Sequence, residues 1–467
     1  MSDAVATQDP RLNALEQRMA GMEALGAQVG EAIESIIGNL LAFKTDDIGS
    51  LRKKLAEVEQ QLSVERSARE LERSAYELER TSRFHPKERR VVFVGTIYFG
   101  DNVKYAWLGF QERARAEGID CWFLPQTADQ ERIVLASGAH CFPHRWAEWS
   151  EAHLHAALSA AVVVTSDHLL NPNPFAAALL AGARHVQLWH GVSIKEIGLR
   201  NLPALKHMSA RMARVLATCG PFTQLVGTSA AAEPEWRRWF GFRHYAPIGY
   251  PRNDVLYREP TQGDLMNVDL DCFAEAREAR AAGRRVWIYA PTFRDAHRAK
   301  WLIDAGIGRI AAELKRRGDL LIVNLHPVEQ PHVDELRQVV PGVRFVAPKT
   351  DMYPLLAQST ALITDYSSVM FDYLHLDRPV VLFRPDHLDY TERSRKLFDA
   401  KLQTPPGPLV ESANALLTLL ARPVDSPAHA EARRALRASL YDHQDGDSAA
   451  RLGDLLVQDV IAGVALP

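Results

Sequence analysis

From residue 86 onward, short unbroken runs of β-branched and apolar residues recur, each separated from the next by an Ala-, Leu- and Arg-rich stretch of helical character. The runs are Val91–Val94, Val162–Thr165, Val186–Leu188 and Leu225–Val226, then Val286–Tyr289, Leu320–Asn324, Val343–Val346, Ala361–Ile363 and Val380–Phe383. A strand with one wet face alternates apolar and polar residues, so an unbroken apolar run marks a strand covered on both faces. Such strands, alternating with helices, build parallel sheets sandwiched between helical layers. A Pro-, Asn- and Asp-rich break at Gly249–Pro260 divides the series. The pattern predicts an α/β protein with two doubly wound parallel-sheet domains.

The first 84 residues have a different texture. Leu12, Leu15, Met19, Met22, Val29, Ile33, Ile36, Leu40 and Phe43 follow steps of three and four, with Gly26 the one gap. That is the seam of a coiled coil, narrower than the stripe of a globular helix. Lys44–Ser50 interrupts it, and a second helix resumes with Leu51, Leu55, Val58 and Leu62 before turning charged through Arg66–Arg80. The expected organisation is a helical stalk over 1–84 for oligomerisation or docking, with a helical hairpin folded back on the body as its alternative, and a Rossmann-like domain over 85–247. A second such domain follows over 248–424, and 425–467 supply helices that pack back on the body.

Bulk properties narrow the function classes. A formal net charge of -3 gives no basic field for nucleic acid. The four cysteines, Cys121, Cys141, Cys219 and Cys272, lack the spacing of a zinc module or disulfide framework. They fit a reducing, cytoplasmic setting. The acidic start Met1–Pro10 is not a secretory signal, and no run reaches the ~20 apolar residues that span a bilayer. Leu202–Thr218 mixes apolar residues with Lys206, Arg211 and Arg214, which reads either as an interfacial helix at the inner face of the membrane or as an ordinary surface helix.

The positions of the polar residues carry the chemistry. In open α/β sheets, ligands bind beyond the carboxyl ends of the strands. Here strand after strand runs into a polar cluster: Trp189-His190-Gly191-Val192-Ser193, Pro291-Thr292-Phe293-Arg294, Asn324-Leu325-His326-Pro327 and Asp365-Tyr366-Ser367-Ser368. His190, between a buried strand and a glycine, suits a general base near neutral pH. His326 is placed to meet a phosphate. Ser367 and Ser368 open a helix, where hydroxyls and unpaired N–H groups favour an anion, although serine there is also an ordinary cap. Asp372, one turn on, suits ligand hydroxyls, and Arg252 and Arg294 offer guanidinium forks for a pyrophosphate. There is no P-loop, GxGxxG or HExxH. Asp269-Leu270-Asp271 has the spacing of a metal-binding pair but reads as a helix cap, so no metal site is assigned and any need for a divalent ion is left open.

The segments Leu188–Lys195 (LWHGVSIK), Gly249–Leu256 (GYPRNDVL), Tyr289–Arg294 (YAPTFR), His326-Pro327 and Thr364–Tyr373 (TDYSSVMFDY) resemble, in order, the CDP-glycerol glycerophosphotransferase family. That family includes teichoic acid primases, teichoic acid polymerases and capsule polymerases. Asp101-Asn102 with Lys104-Tyr105, Pro405–Val410, and Asp445-Gly446 with Arg451 agree, so the resemblance covers about 88–460. It implies a GT-B architecture, with an acceptor domain and a donor domain facing across a cleft. It also implies a CDP-alcohol donor such as CDP-glycerol, a glycan or polyol-phosphate acceptor that can be lipid-linked, and release of CMP. Carried over by position, His190 is the base and His326 meets the donor phosphates. Arg252, Pro291, Thr292, Ser367, Ser368 and Asp372 match donor-holding positions, with Trp189, Gly191, Arg294 and Asn324 beside them. Val192-Ser193 stands where Thr-Pro often follows the WHG, and Asn324 where an arginine is common. Two alternatives stand: a GT-B glycosyltransferase using a CMP- or UDP-sugar for surface polysaccharide synthesis, and a non-catalytic scaffold whose working part is the coiled coil.

Overall fold

A computed structural model describes residues 10–40, 48–167, 174–194, 197–199, 219–292, 294, 300–326, 333–340, 342–387 and 404–464. The chain divides into two units, Met1–Ser74 and Ala75–Pro467. The first holds helix α1 (Pro10–Leu40) and most of helix α2 (Ile48–Phe84), joined through 41–47, outside the described residues. The apolar residues of these helices stand open in the single chain: Met19, Met22, Ile33 and Leu55 are 54, 50, 42 and 49% exposed.

The second unit contains two all-parallel sheets. One comprises β1 (Glu88–Val94), β2 (Asp120–Leu124), β3 (His140–Cys141), β4 (Ala160–Thr165), β5 (Arg184–Gln187), β6 (Phe222–Val226) and β7 (Phe242–Ala246), in the order β3-β2-β1-β4-β5-β6-β7. The other comprises β8 (Val286–Ala290), β9 (Leu320–Val323), β10 (Arg344–Phe345), β11 (Ala361–Thr364), β12 (Val380–Phe383) and β13 (Leu409–Val410), in the order β10-β9-β8-β11-β12-β13. Both orders run outward from their first strand, then reverse. This places switch points between β1 and β4 and between β8 and β11, where a crevice for ligand forms at the carboxyl ends.

The apolar runs become the central strands. Every residue of β4, β8, β11 and β12 is buried, and Val92 lies across from Trp122 on one side and Val163 on the other. Sequence reading misses β2, β3, β7 and β13. β2 carries Asp120 and a half-buried Trp122, and β7 (FRHYA) is a half-exposed edge strand, so neither shows an unbroken apolar run. One face of the first sheet is covered by helix α3 (Asp101–Ala116) and by the helix Ser448–Val464, which packs against α3, β1, β4 and β5. Arg184 fixes that helix through two bonds of 2.9 and 2.6 Å to Asp459.

Lys104 of α3 joins the regions around the two sheets. Fully buried, its Nζ donates at 2.7 Å to the carbonyls of Asp264 and Met266 and at 2.8 Å to Asp351 Oδ2. All three of its protons are satisfied, which is what burying an ammonium group requires. Asp254 performs a similar service for the helix Ser448–Val464: its carboxylate accepts from the backbone N–H groups of Ser448 (3.0 Å) and Ala449 (2.8 Å). Asp269 is a cap as expected, accepting from Cys272 N at 3.0 Å.

Candidate active site

A cavity of about 230 Å³ opens at the carboxyl ends of both sheets. Trp189, His190, Gly191, Val192 and Ser193, which follow β5, line one wall. Pro291 and Thr292 after β8, His326 after β9, and Tyr366, Ser367 and Ser368 after β11 line the other. Segments from four strands thus meet at one place. Pro327 and the Leu202–Thr218 segment lie outside the described residues.

The turn that presents His190 has positive φ on both sides. Trp189 has φ +55° and Gly191 φ +129°. The left-handed region costs a side-chain-bearing residue about 1–2 kcal/mol, so something must hold Trp189 there. Its N–H donates to Gln187 Oε1 and its carbonyl accepts from Asn102 Nδ2, both at 2.9 Å, while its indole packs on Phe240 at 4.6 Å. At position 191 only glycine fits, since a Cβ would lie 2.6 Å from Arg252 Nη2. The His190 ring stacks on Trp189 with centroids 4.2 Å apart. Its Nδ1 is 3.3 Å from the Ser166 carbonyl oxygen, which can only accept. In the neutral ring the proton therefore sits on Nδ1, and Nε2 keeps its lone pair.

Across the cavity, Ser368 is the N-cap of the short helix Val369–Tyr373 yet makes no side-chain capping bond. Both Ser367 and Ser368 are half-buried and line the cavity. Thr292 is fixed by Asp365, whose Oδ1 accepts from the Thr292 N–H (2.9 Å) and hydroxyl (2.8 Å). Arg294 braces the same carboxylate at 2.8 Å and also binds Asp386 at 2.5 and 2.9 Å. Burial opposes its charge, but the Asp386 and Asp365 carboxylates outweigh it and hold the guanidinium well above its usual range.

Arg252, Asp372, Arg294 and Asn324 stand outside the cavity lining. Arg252 is 4% exposed and runs between two carboxylates, at 2.6 Å from Asp101 Oδ1 and 2.7 Å from Asp372 Oδ2. Asp372 accepts further from Tyr353 (2.7 Å). Burial disfavours the Arg252 charge, yet Asp372, Tyr353 and Asp101 together raise its pKa well above the ordinary value. This layer lies directly behind Gly191. Asn324 donates to the Met352 sulfur at 3.0 Å. Asp101, Asn102, Tyr353 and Asp365 complete these networks; sequence pattern alone does not mark them as site residues, although Asp101-Asn102 and Asp365 fall inside the quoted motifs. Among the described residues, no three His, Cys, Asp or Glu side chains are gathered as metal ligands.

Residues 126–458 match the family described as CDP-Glycerol:Poly(glycerophosphate) glycerophosphotransferase. The chain is 26% identical over 288 residues to the teichoic acid ribitol-phosphate primase of Bacillus spizizenii, covering 60% of this chain and 70% of that one. It is 26% identical over 280 residues to the teichoic acid glycerol-phosphate transferase of Staphylococcus aureus, covering 57% and 69%. In fold it is similar to the wall teichoic acid polymerase TagF, with a TM-score of 0.65 at 21% identity over 90% of this chain and 99% of that one. This supports a two-domain, GT-B-like arrangement.

Proposed function

Because the chain belongs to the CDP-glycerol:poly(glycerophosphate) glycerophosphotransferase family, we propose a mechanism in which His190 is the general base of a polyol-phosphate transfer. The chain is a CDP-glycerol-type glycerophosphotransferase acting in teichoic-acid-like polymer synthesis. His190 Nε2 takes the proton from an acceptor hydroxyl, whose oxygen attacks the β-phosphorus of CDP-glycerol. The bond from that phosphorus to the oxygen shared with the α-phosphorus breaks, CMP leaves, and a phosphodiester to the acceptor forms. Phosphoryl transfer asks mainly for positioning and charge stabilisation. Ser367, Ser368, Thr292 and His326 surround the phosphates from the donor side, while Arg252, Asp372 and Arg294 hold the walls in register. The observation carrying this reading is the Nδ1 contact of His190 with the Ser166 carbonyl, which leaves Nε2 as the acceptor in a cavity lined by donor-side hydroxyls.

The relatives include both ribitol-phosphate and glycerol-phosphate enzymes, which supports CDP-glycerol or CDP-ribitol as the donor. Residues 85–247 serve as acceptor domain and 248–424 as donor domain. The exposed seam of α1 and α2 supports self-association as a coiled coil. No helix among the described residues is long and apolar enough to cross a membrane. In this reading a lipid-linked acceptor is met at the inner membrane face by peripheral contact from the cytoplasm. The test is incubation of the full chain with CDP-glycerol, CDP-ribitol and CMP-sugars, following CMP with and without acceptors. CMP release from a CDP-alcohol that vanishes in His190→Ala is expected. Turnover with sugar nucleotides alone would replace this donor by that of a glycosyltransferase.

A further inference from the structure

Strands β4 and β5 leave the first sheet side by side, and His190 stands just past their ends. Leu188 N donates to the Thr165 carbonyl at 2.7 Å, close to the end of the ladder. Past that bond a side chain takes over. Gln187, the last residue of β5, sits opposite Thr165 in the ladder. Its Oε1 accepts from the Trp189 N–H at 2.9 Å, and its Nε2 donates to the Asp167 carbonyl at 3.2 Å. An N–H only donates and a carbonyl only accepts, so one orientation of the amide satisfies both. The next link is His190 itself, with Nδ1 3.3 Å from the Ser166 carbonyl oxygen.

Gln187 is fully buried between Val186 and Leu188, where an apolar side chain would pack without having to satisfy an amide. What it holds explains its presence. Asn102, also fully buried, completes the grip from the other side: its Nδ2 donates to the Trp189 carbonyl at 2.9 Å, and its Oδ1 accepts from Arg252 N at 3.2 Å. The peptide planes on both sides of Trp189 are thus fixed, one by each amide, at a φ of +55° that L-residues rarely adopt. With the second plane fixed, the His190 side chain starts from a set point. The Trp189 stack and the Ser166 carbonyl then set its ring.

We infer that Gln187 is a positioning residue for the transfer: by tying Trp189 to Asp167 it holds the His190 ring against the Ser166 carbonyl and keeps the Nε2 lone pair for the acceptor hydroxyl. Asn102 is its counterpart across Trp189. Neither amide is among the residues lining the cavity, so both act through the turn between them. The inference rests on the reading of His190 as the base.

The test uses the full chain with Gln187→Met, which removes both bonds at similar length, and Gln187→Glu, which keeps an oxygen for the Trp189 N–H but offers the Asp167 carbonyl no proton. Nitrogen NMR of histidine-labelled protein reads the tautomer, with the His190 signals identified by their loss in His190→Gln. CMP release from CDP-glycerol gives kcat and donor KM. In the parent chain the neutral ring should carry its proton on Nδ1. In Gln187→Met the proton should spread over both nitrogens, and kcat should fall about 10²-fold, the scale of a misplaced catalytic group, with donor KM within about twofold. Gln187→Glu should lose about tenfold in kcat, for one bond. A folded Gln187→Met with parental tautomer and kcat would overturn the inference, as would a parent ring with no fixed tautomer. Should that variant not fold, Gln187→Glu decides on the same readings, and failure of both to fold would make Gln187 a residue of stability alone. Turnover that survives His190→Ala would instead sink the base reading, and the histidine signals would still decide whether Gln187 sets the ring.

Discussion

Two polar regions lie back to back in this molecule and differ in how their groups are satisfied. The cavity presents imidazoles and hydroxyls to solvent, with His190 and His326 exposed and Ser367 and Ser368 half-buried. The layer behind Gly191 consists of buried charges joined to one another: Asp101, Arg252 and Asp372, with Lys104 and Asp351 nearby. The cavity groups open toward solvent, whereas the buried charges already meet each other. Removing one member of a buried pair strands the other, so the rear layer should answer in stability and the cavity in turnover.

The sharpest division is expected at His190. His190→Ala should lower turnover by about 10²–10⁴, the range of general-base catalysis, with CDP-glycerol affinity and melting temperature little changed. Unchanged turnover would remove the base assignment. In the rear layer, Arg252→Met leaves Asp101 and Asp372 facing each other without a cation. It should cost about 3–5 kcal/mol in urea unfolding, as should Lys104→Met. If either instead folds normally and loses only donor affinity, the two regions are not separate in role.

Gly191→Ala tests the seam between them. Its Cβ would press on Arg252 at a backbone angle that disfavours L-residues, for an expected cost of about 1–3 kcal/mol together with reduced turnover. Ser368→Ala should be milder, raising the donor KM by about fivefold for one lost hydrogen bond with stability unaltered. The shallowest expected change is a pH dependence. Burial raises the Asp254 carboxyl to about 7, against opposing bonds from Ala449 and Ser448. An acid that holds its proton more tightly when folded contributes stability fully below the unfolded pKa and loses it as pH rises. Melting temperature should therefore fall between about pH 4 and 7, and Asp254→Asn should flatten that slope.

The division between these regions also marks what the amino-acid order reveals. Central strands such as β4 and β8 are legible because both faces are covered, so their apolar runs are unbroken. Edge strands β3 and β13 are two residues each and carry too little pattern to read. The location of the cavity is legible from the polar clusters that follow β5, β8, β9 and β11. Which polar residues face it is not. Arg252 and Asp372 are 120 positions apart, and nothing local says that each is the other's partner. A guanidinium drawn to phosphate and one drawn to a carboxylate look alike in one dimension. Ser368 shows the converse: it sits where a helix cap belongs, and only the missing capping bond sets its hydroxyl apart from that duty.

The helix Ser448–Val464 covers β1, β4 and β5, although about 350 residues separate it from β1. On the ribosome, at about 5–20 residues per second, the first sheet would wait tens of seconds for this cover. The strands of the second sheet span only residues 286–410 and need no such wait. During synthesis the nascent first domain would display the apolar surface of Phe93, Val162 and Val164, a natural target for chaperones. Yield in the cell would then depend on how fast translation delivers that one late helix.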